Sequence, residues 1–160
     1  MTQAPLVVAI DGPSGVGKTT VAQEVARRLE LPYLETGAMY RAIGLAALDR
    51  GVDLDDADTV EAIAANLDLA VEMGDDRRLR VLVDGVEPGP RLRSPEVSEA
   101  TSRIAVHPCV RRRMVALQRD LASRWGGVVE GRDIGTRVFP ETPHKFFLTA
   151  ADEVRLDRRA

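Results

Sequence analysis

Gly12-Pro13-Ser14-Gly15-Val16-Gly17-Lys18-Thr19, followed by Thr20, sets a Gly-x4-Gly-Lys-Thr spacing directly after the apolar run Leu6–Ile10. Glycines let the backbone curl so that successive N–H groups point inward as an anion nest. A helix beginning at the loop adds the positive end of its dipole. Lys18 can then reach outer phosphates, and the Thr19 hydroxyl can ligate Mg²⁺. Lys18 and Lys145 are the only lysines among 22 basic side chains, and one of the two falls at this point. The spacing implies a site for a nucleoside phosphate.

Two further clusters carry polar groups at the ends of apolar runs. Glu35-Thr36-Gly37-Ala38-Met39-Tyr40-Arg41 follows Tyr33–Leu34. Arg41 can give a bidentate fork to a phosphate, while Thr36 and Tyr40 offer hydroxyls or a stacking face. Glu130-Gly131-Arg132-Asp133-Ile134-Gly135-Thr136 follows the run Gly127–Glu130. Arg132 suits a phosphate there, and Asp133 an exocyclic amine or a ribose hydroxyl. Glu130 is a further candidate near Mg²⁺ that no spacing singles out. Arg111-Arg112-Arg113 lies on a predicted helix, so its members diverge and at most one enters a cleft. His107 and His144 read as solvated loop histidines without metal-like pairing, and Cys109 as a buried thiol.

The elements that must position these groups alternate in type. Leu6–Ile10 reads as a buried strand of a parallel sheet. Lys18 to Leu31 has helical spacing, with Val21, Val25 and Leu29 on one face, and Pro32 ends it. Tyr33–Leu34 opens a second strand. Helices are predicted over 38–49 and 55–67. Leu69–Met73 and Leu79–Asp84 flank Gly74-Asp75-Asp76 as a hairpin, with Val86–Pro90 continuing irregularly or as a short third strand. Helices follow over 95–105 and 108–124. Gly127–Glu130 and Lys145–Leu148 read as further buried strands, and a last helix starts near Ala150. This gives an α/β chain with a P-loop core over 1–35 and 95–160. A nucleotide-monophosphate arm covers 36–66, and a small antiparallel β insertion covers 67–94.

Composition agrees. The 160 residues suit one α/β domain with a small appendage, and 44% hydrophobic content supplies a core. A net charge of −3 and a pI near 5.5 argue against general nucleic-acid binding. One cysteine, no signal peptide and no apolar run of membrane-spanning length lead to the expectation of a cytoplasmic protein with no membrane partner.

Taken together, Ile10 to Thr20, Thr36-Gly37-Ala38-Met39-Tyr40-Arg41 and Gly131-Arg132-Asp133-Ile134-Gly135-Thr136 closely resemble the bacterial cytidylate kinase family. Arg93-Ser94-Pro95-Glu96-Val97, Ser102 and Pro108 match its pattern too. The resemblance implies a P-loop kinase fold, a mostly parallel sheet flanked by helices. It also implies transfer of a phosphoryl group from ATP to CMP or dCMP, with Mg²⁺. Residues Gly12, Pro13, Ser14, Gly15, Val16, Gly17, Lys18, Thr19 and Thr20 then hold ATP, and Thr19 also holds the metal. Thr36, Tyr40, Arg41, Ser102, Arg111, Arg132 and Asp133 line the CMP site. Lys18, Arg41 and Arg132 supply the catalytic charge. Small-molecule nucleotides are the expected partners of an expected monomer. The family pattern continues with a lid and a final strand and helix that this sequence does not contain, so weak turnover is also expected. A kinase for another small acceptor and an inactive nucleotide-binding remnant are the competing readings. A GTPase is disfavoured, since no Asn-Lys-x-Asp motif occurs.

Overall fold

Short apolar runs alternating with amphipathic stretches build six strands and six α-helices in the computed structural model, which describes residues 3–159, with side chains described through 157. In chain order these are β1 (Val7–Asp11), α1 (Lys18–Leu29), β2 (Tyr33–Glu35), α2 (Thr36–Asp49), α3 (Ala57–Asn66), β3 (Leu69–Met73) and β4 (Leu79–Val83). They continue with α4 (Pro95–Ile104), α5 (Pro108–Trp125), β5 (Gly127–Gly131), β6 (Lys145–Phe147) and α6 (Asp152–Arg159). The fold is the expected α/β one: a parallel sheet with helices and a separate antiparallel pair, as in P-loop kinases.

Contacts divide the chain into two units: 1–36 with 75–78 and 118–160, and 37–74 with 79–117. The first unit holds the parallel sheet, in the order β2-β5-β1-β6. Register pairs Val7 with Gly127 and Asp11 with Gly131, so the carboxyl ends of β1 and β5 finish side by side. Val8, Ile10, Ala22, Ala26, Tyr33 and Val128 form its buried cluster, with Val25, Leu31 and Leu148 packed against it. The inward face of α1 is therefore carried by Ala22 and Ala26. Val21 and Leu29, which helical spacing places on the buried face, are 40% and 49% exposed. Alanines permit the closer approach of helix to sheet, and that approach turns the larger side chains outward.

The run Lys145–Leu148, read from sequence as a buried strand, is instead an exposed edge. Among the described residues β6 pairs only with β1, and Lys145, Phe146 and Phe147 are all exposed. The turn 75–78 belongs to the first unit, where the Arg77 carbonyl accepts from the Tyr33 N–H at 3.1 Å.

The second unit contains α2 after Thr36, α3, β3, β4, α4 and α5 through Leu117. Met39, Ile43, Val60, Val97, Ile104 and Met114 are buried. β3 and β4 pair from Leu69–Val83 to Met73–Leu79, and beyond them a bridge joins Val83 to Val86 before a 3₁₀ turn over Gly89–Arg93. Residues 95–117, assigned from sequence to the P-loop core, fall in this unit. Arg113 reaches the Ala64 and Leu67 carbonyls at the end of α3, and Arg103 pairs with Asp55 at 2.6 Å. His107 is not a solvated loop residue: its Nε2 lies 2.9 Å from the Leu54 carbonyl. Cys109 is only half-buried.

Candidate active site

β1 ends at the buried Asp11, and the glycine-rich loop begins at once. Gly12 holds φ +153°, and a Cβ built on it would lie 2.5 Å from the Leu148 carbonyl oxygen. Gly15 holds φ +83°, where a Cβ would meet the Arg155 carbonyl at 2.9 Å. At both positions the backbone conformation and a neighbouring backbone atom exclude a side chain. Gly17 begins α1 in the left-handed conformation, with no side chain capping the first turn. A helix start left open in this way suits an anion. The Lys18 ammonium rests on its own loop, donating to the Pro13 carbonyl at 3.1 Å. Arg155 on α6 donates from Nε to the Ser14 carbonyl at 3.3 Å, bracing the loop from outside.

Glu130, at the end of β5, closes the floor. It is 5% exposed, and its Oε1 accepts the Thr19 hydroxyl at 3.0 Å while Oε2 has no hydrogen-bond partner among the described residues. Burial raises its pKa, and the neighbouring Glu35 adds to this, against the hydrogen bond from Thr19 and the charge of Lys18. Burial also lowers the pKa of Lys18, as does Arg132, with Glu130, Asp11 and Glu35 opposing. Tyr33, buried beside Glu130, has its phenol pKa raised well above the usual value, chiefly by burial. Charges of both signs are therefore gathered where burial reduces solvent screening, which strengthens each electrostatic interaction there.

Thr36 is buried and donates its hydroxyl to the Glu130 carbonyl at 2.8 Å. Arg132 is exposed and Asp133 half-buried on the turn that follows β5. Asp11 holds this turn, its Oδ1 and Oδ2 each accepting at 2.8 Å from the N–H groups of Ile134 and Gly135. The first unit thus brings together Gly12 to Thr20, Thr36, Arg132 and Asp133. Tyr40 and Arg41 on α2, Ser102 on α4 and Arg111 on α5 belong to the second unit. There Arg41 lies over the first turn of its own helix, its Nη1 3.0 Å from where a Cβ on Gly37 would sit. Ser102 is exposed, with its hydroxyl donating to the Ser98 carbonyl at 3.1 Å. Arg111 is half-buried, whereas Arg113 is consumed by the carbonyls of α3.

Sequence reasoning assigned no role to Asp11 and did not single out Glu130. An acidic residue closing an apolar strand was their only local signal. Among the described residues no cluster of three or more His, Cys, Asp or Glu side chains could hold a metal ion. Thr19 and Glu130 offer oxygen donors instead, a set that suits a hard cation completing its shell with phosphate oxygens and water. A cleft of about 1060 Å³ between residues 3–7 and 138–144 carries none of the candidate groups. It lies at the start of β1, away from the strand ends where open parallel sheets bind ligands. No described helix is long and apolar enough to cross a membrane.

A glycine-rich loop closed by Lys18 and Thr19, at the carboxyl end of a parallel sheet and beside a buried carboxylate, is the arrangement of the P-loop kinase fold. A family model described as cytidylate kinase matches residues 8–160, and the chain belongs to that family. It is 47% identical over 152 residues to the cytidylate kinase of Pelotomaculum thermopropionicum, covering 95% of this chain and 67% of that protein. The cytidylate kinase of Limosilactobacillus fermentum is also 47% identical over 152 residues, at 95% of this chain and 66% of its own. A bifunctional pantoate ligase/cytidylate kinase of Synechococcus sp. (strain JA-3-3Ab) is 48% identical over 155 residues, 96% of this chain but 29% of that protein. The chain spans about two thirds of the length of the single-function relatives and under a third of the bifunctional ones.

Proposed function

We propose that this chain transfers the γ-phosphoryl group of ATP to CMP or dCMP, giving ADP and CDP or dCDP. The observation that carries the reading is the β1–β5 register. It sets the Gly12–Thr20 loop and the Arg132–Asp133 segment beside each other as they leave adjacent strands, as a two-substrate transfer requires. Phosphoryl transfer asks for positioning and charge neutralisation, with little covalent chemistry from the protein. In this reading the N–H groups of the loop and Lys18 hold the ATP phosphates. Thr19 and Glu130 hold a divalent cation, which neutralises phosphate charge when bound. Residues 36–66 serve as the acceptor arm, with Arg41 binding the CMP phosphate and Thr36 and Tyr40 offering it hydroxyls, and Arg132 adds positive charge at the phosphates. Asp133 accepts from the cytosine N4 amine, while Ser102 and Arg111 donate to its ring acceptors. Such products belong to pyrimidine nucleotide metabolism, with the cytoplasm as the compartment.

A coupled assay with CMP, dCMP, UMP and AMP as acceptors tests the reading, alongside calorimetry on wild type and Asp133→Asn. Cytosine nucleotides should be preferred. The substitution should weaken CMP by about 1.5–3 kcal/mol, the worth of one charge-assisted hydrogen bond. Equal CMP affinity in the two proteins would remove Asp133 from the base site.

A further inference from the structure

Asp11 is a buried carboxylate, 6% exposed, at the point where β1 becomes the glycine-rich loop. Its side chain makes no contact with that loop in the hydrogen-bond pattern. Both oxygens are spent on the backbone of a segment more than a hundred residues away: Oδ1 on Ile134 N–H and Oδ2 on Gly135 N–H, each at 2.8 Å. Those two groups open a short turn over Ile134–Val138, closed by Arg137 N–H to the Asp133 carbonyl at 2.9 Å. On the other side of Asp133, the Glu130 carbonyl is held by the Thr36 hydroxyl at 2.8 Å. Arg132 and Asp133 therefore stand on a span anchored at both ends, and the anchor on the Asp133 side is Asp11. Its backbone is fixed as well, through pairing with Gly131 and a 2.8 Å bond from Leu148 N–H.

We propose that Asp11 is the positioning residue that sets Arg132 and Asp133 relative to the phosphate loop, and so determines how tightly the acceptor nucleotide is held. The proposal rests on the assignment of Asp133 to the acceptor. Only a carboxylate meets the geometry. Two parallel N–H donors need two acceptor atoms at the reach of an aspartate side chain. Asparagine offers one acceptor and turns an NH₂ group toward the second donor, leaving a buried N–H unsatisfied. Alanine leaves both.

The test compares wild type, Asp11→Asn and Asp11→Ala in amide hydrogen exchange, with CMP and ATP titrated calorimetrically. In Asp11→Asn, exchange at Ile134 and Gly135 should quicken at least tenfold, with Val8–Ile10 and Val128–Val129 unchanged. CMP affinity should fall tenfold or more while ATP affinity stays within about threefold. Adding Asp133→Asn should cost little more, because the first change has already displaced that side chain. Unchanged exchange at 134 and 135 overturns the proposal. So does uniformly faster exchange across β1 and β5, since Asp11 would then be holding the sheet as a whole. CMP affinity that survives Asp11→Asn but not Asp133→Asn overturns it too. Failure of the acceptor assignment looks different: CMP then titrates wild type and Asp133→Asn equally, or titrates neither, and the exchange pattern alone decides for or against the hold of Asp11 on the turn.

Discussion

Replacing Gly12 with alanine should be more destabilising than the same change at a positive-φ glycine with open space around it. At Gly12 the added methyl lies 2.5 Å from the Leu148 carbonyl oxygen and 3.2 Å from Val16 Cγ2, at φ +153°. The conformation alone costs about 1–3 kcal/mol for a residue with a side chain. Relieving the overlap means moving a backbone carbonyl, since no flexible side-chain end is available to yield. Leu148 is tied to β1 by its own N–H, which donates to the Asp11 carbonyl at 2.8 Å. Weakening that bond adds about 1 kcal/mol. The reduced freedom of the unfolded chain returns about 0.4–1 kcal/mol. The net loss is about 1–3.5 kcal/mol, which lowers the melting temperature by roughly 2–14 °C in a chain of this size. Gly85 is the control, at φ +79° with nothing within 4 Å of an added methyl. Its alanine variant should lose about 1 kcal/mol and melt within a few degrees of wild type. Thermal unfolding followed by circular dichroism measures both. If the two variants melt together, the approach of Leu148 does not fix the loop, and the steric account of Gly12 is wrong.

Lys18→Ala should shift the melting temperature of the free protein little, because the ammonium's hydrogen bond is to its own loop and the pull of Glu130 on its charge is opposed by its burial and by Arg132. Turnover should fall by about 10²–10³, the usual effect of losing one preorganised charge at a developing anion; wild-type turnover would remove Lys18 from the phosphates. Glu130→Gln should lose activity yet stabilise the free protein at neutral pH by about 1 kcal/mol, because a charged carboxylate buried with an unpartnered oxygen is disfavoured. The sign follows from its raised pKa: the favourable contribution of the native carboxyl is full below the ordinary value of 4.5 and is lost as pH rises through the higher folded value. Melting curves of both proteins from pH 4 to 8 should therefore converge at the acid end and separate toward neutrality, and a constant difference across that range would refute the assignment.

The glycine-rich turn and the helix start after it were legible because their determinants are local: glycines where φ is positive, then Lys18 and Thr19 where a helix begins. The placement of Thr36, Arg132 and Asp133 just beyond strand ends was legible too, since they follow apolar runs directly. Asp11 and Glu130 were not, because their partners lie far along the chain, and an acidic side chain closing a strand has no period or spacing to mark it. Topology hid other features. Nothing in Lys145-Phe146-Phe147 distinguishes an edge from a central strand, since edge position depends on which strands pair elsewhere. In α1 the apolar spacing of Val21, Val25 and Leu29 competed with that of Ala22 and Ala26, and the smaller residues took the inner face. The helices over 95–117 were grouped with the core by chain order, whereas the bonds of Arg103 and Arg113 tie them to α3 and its preceding loop.

The sheet order has a bearing on how the chain comes off the ribosome. β1 and β2 are close in sequence but not neighbours, for β5 lies between them, and β2 pairs with nothing else in the sheet. Until residue 131 has emerged, the sheet-forming backbone of both strands has no partner on that side. Thr19 waits for Glu130, 111 residues downstream, and Asp11 for Ile134, 123 residues downstream. At 5–20 residues per second, β2 stands alone for on the order of ten seconds. The second unit, which ends at residue 117, has by then been synthesised in full, so the parallel sheet is completed only after that segment is free to fold. Slow, long-range parallel pairing of this kind is the step most exposed to misassociation. Synonymous codon changes that alter the pace between residues 35 and 127 would therefore act on the yield of assembled site, with no change in any amino acid.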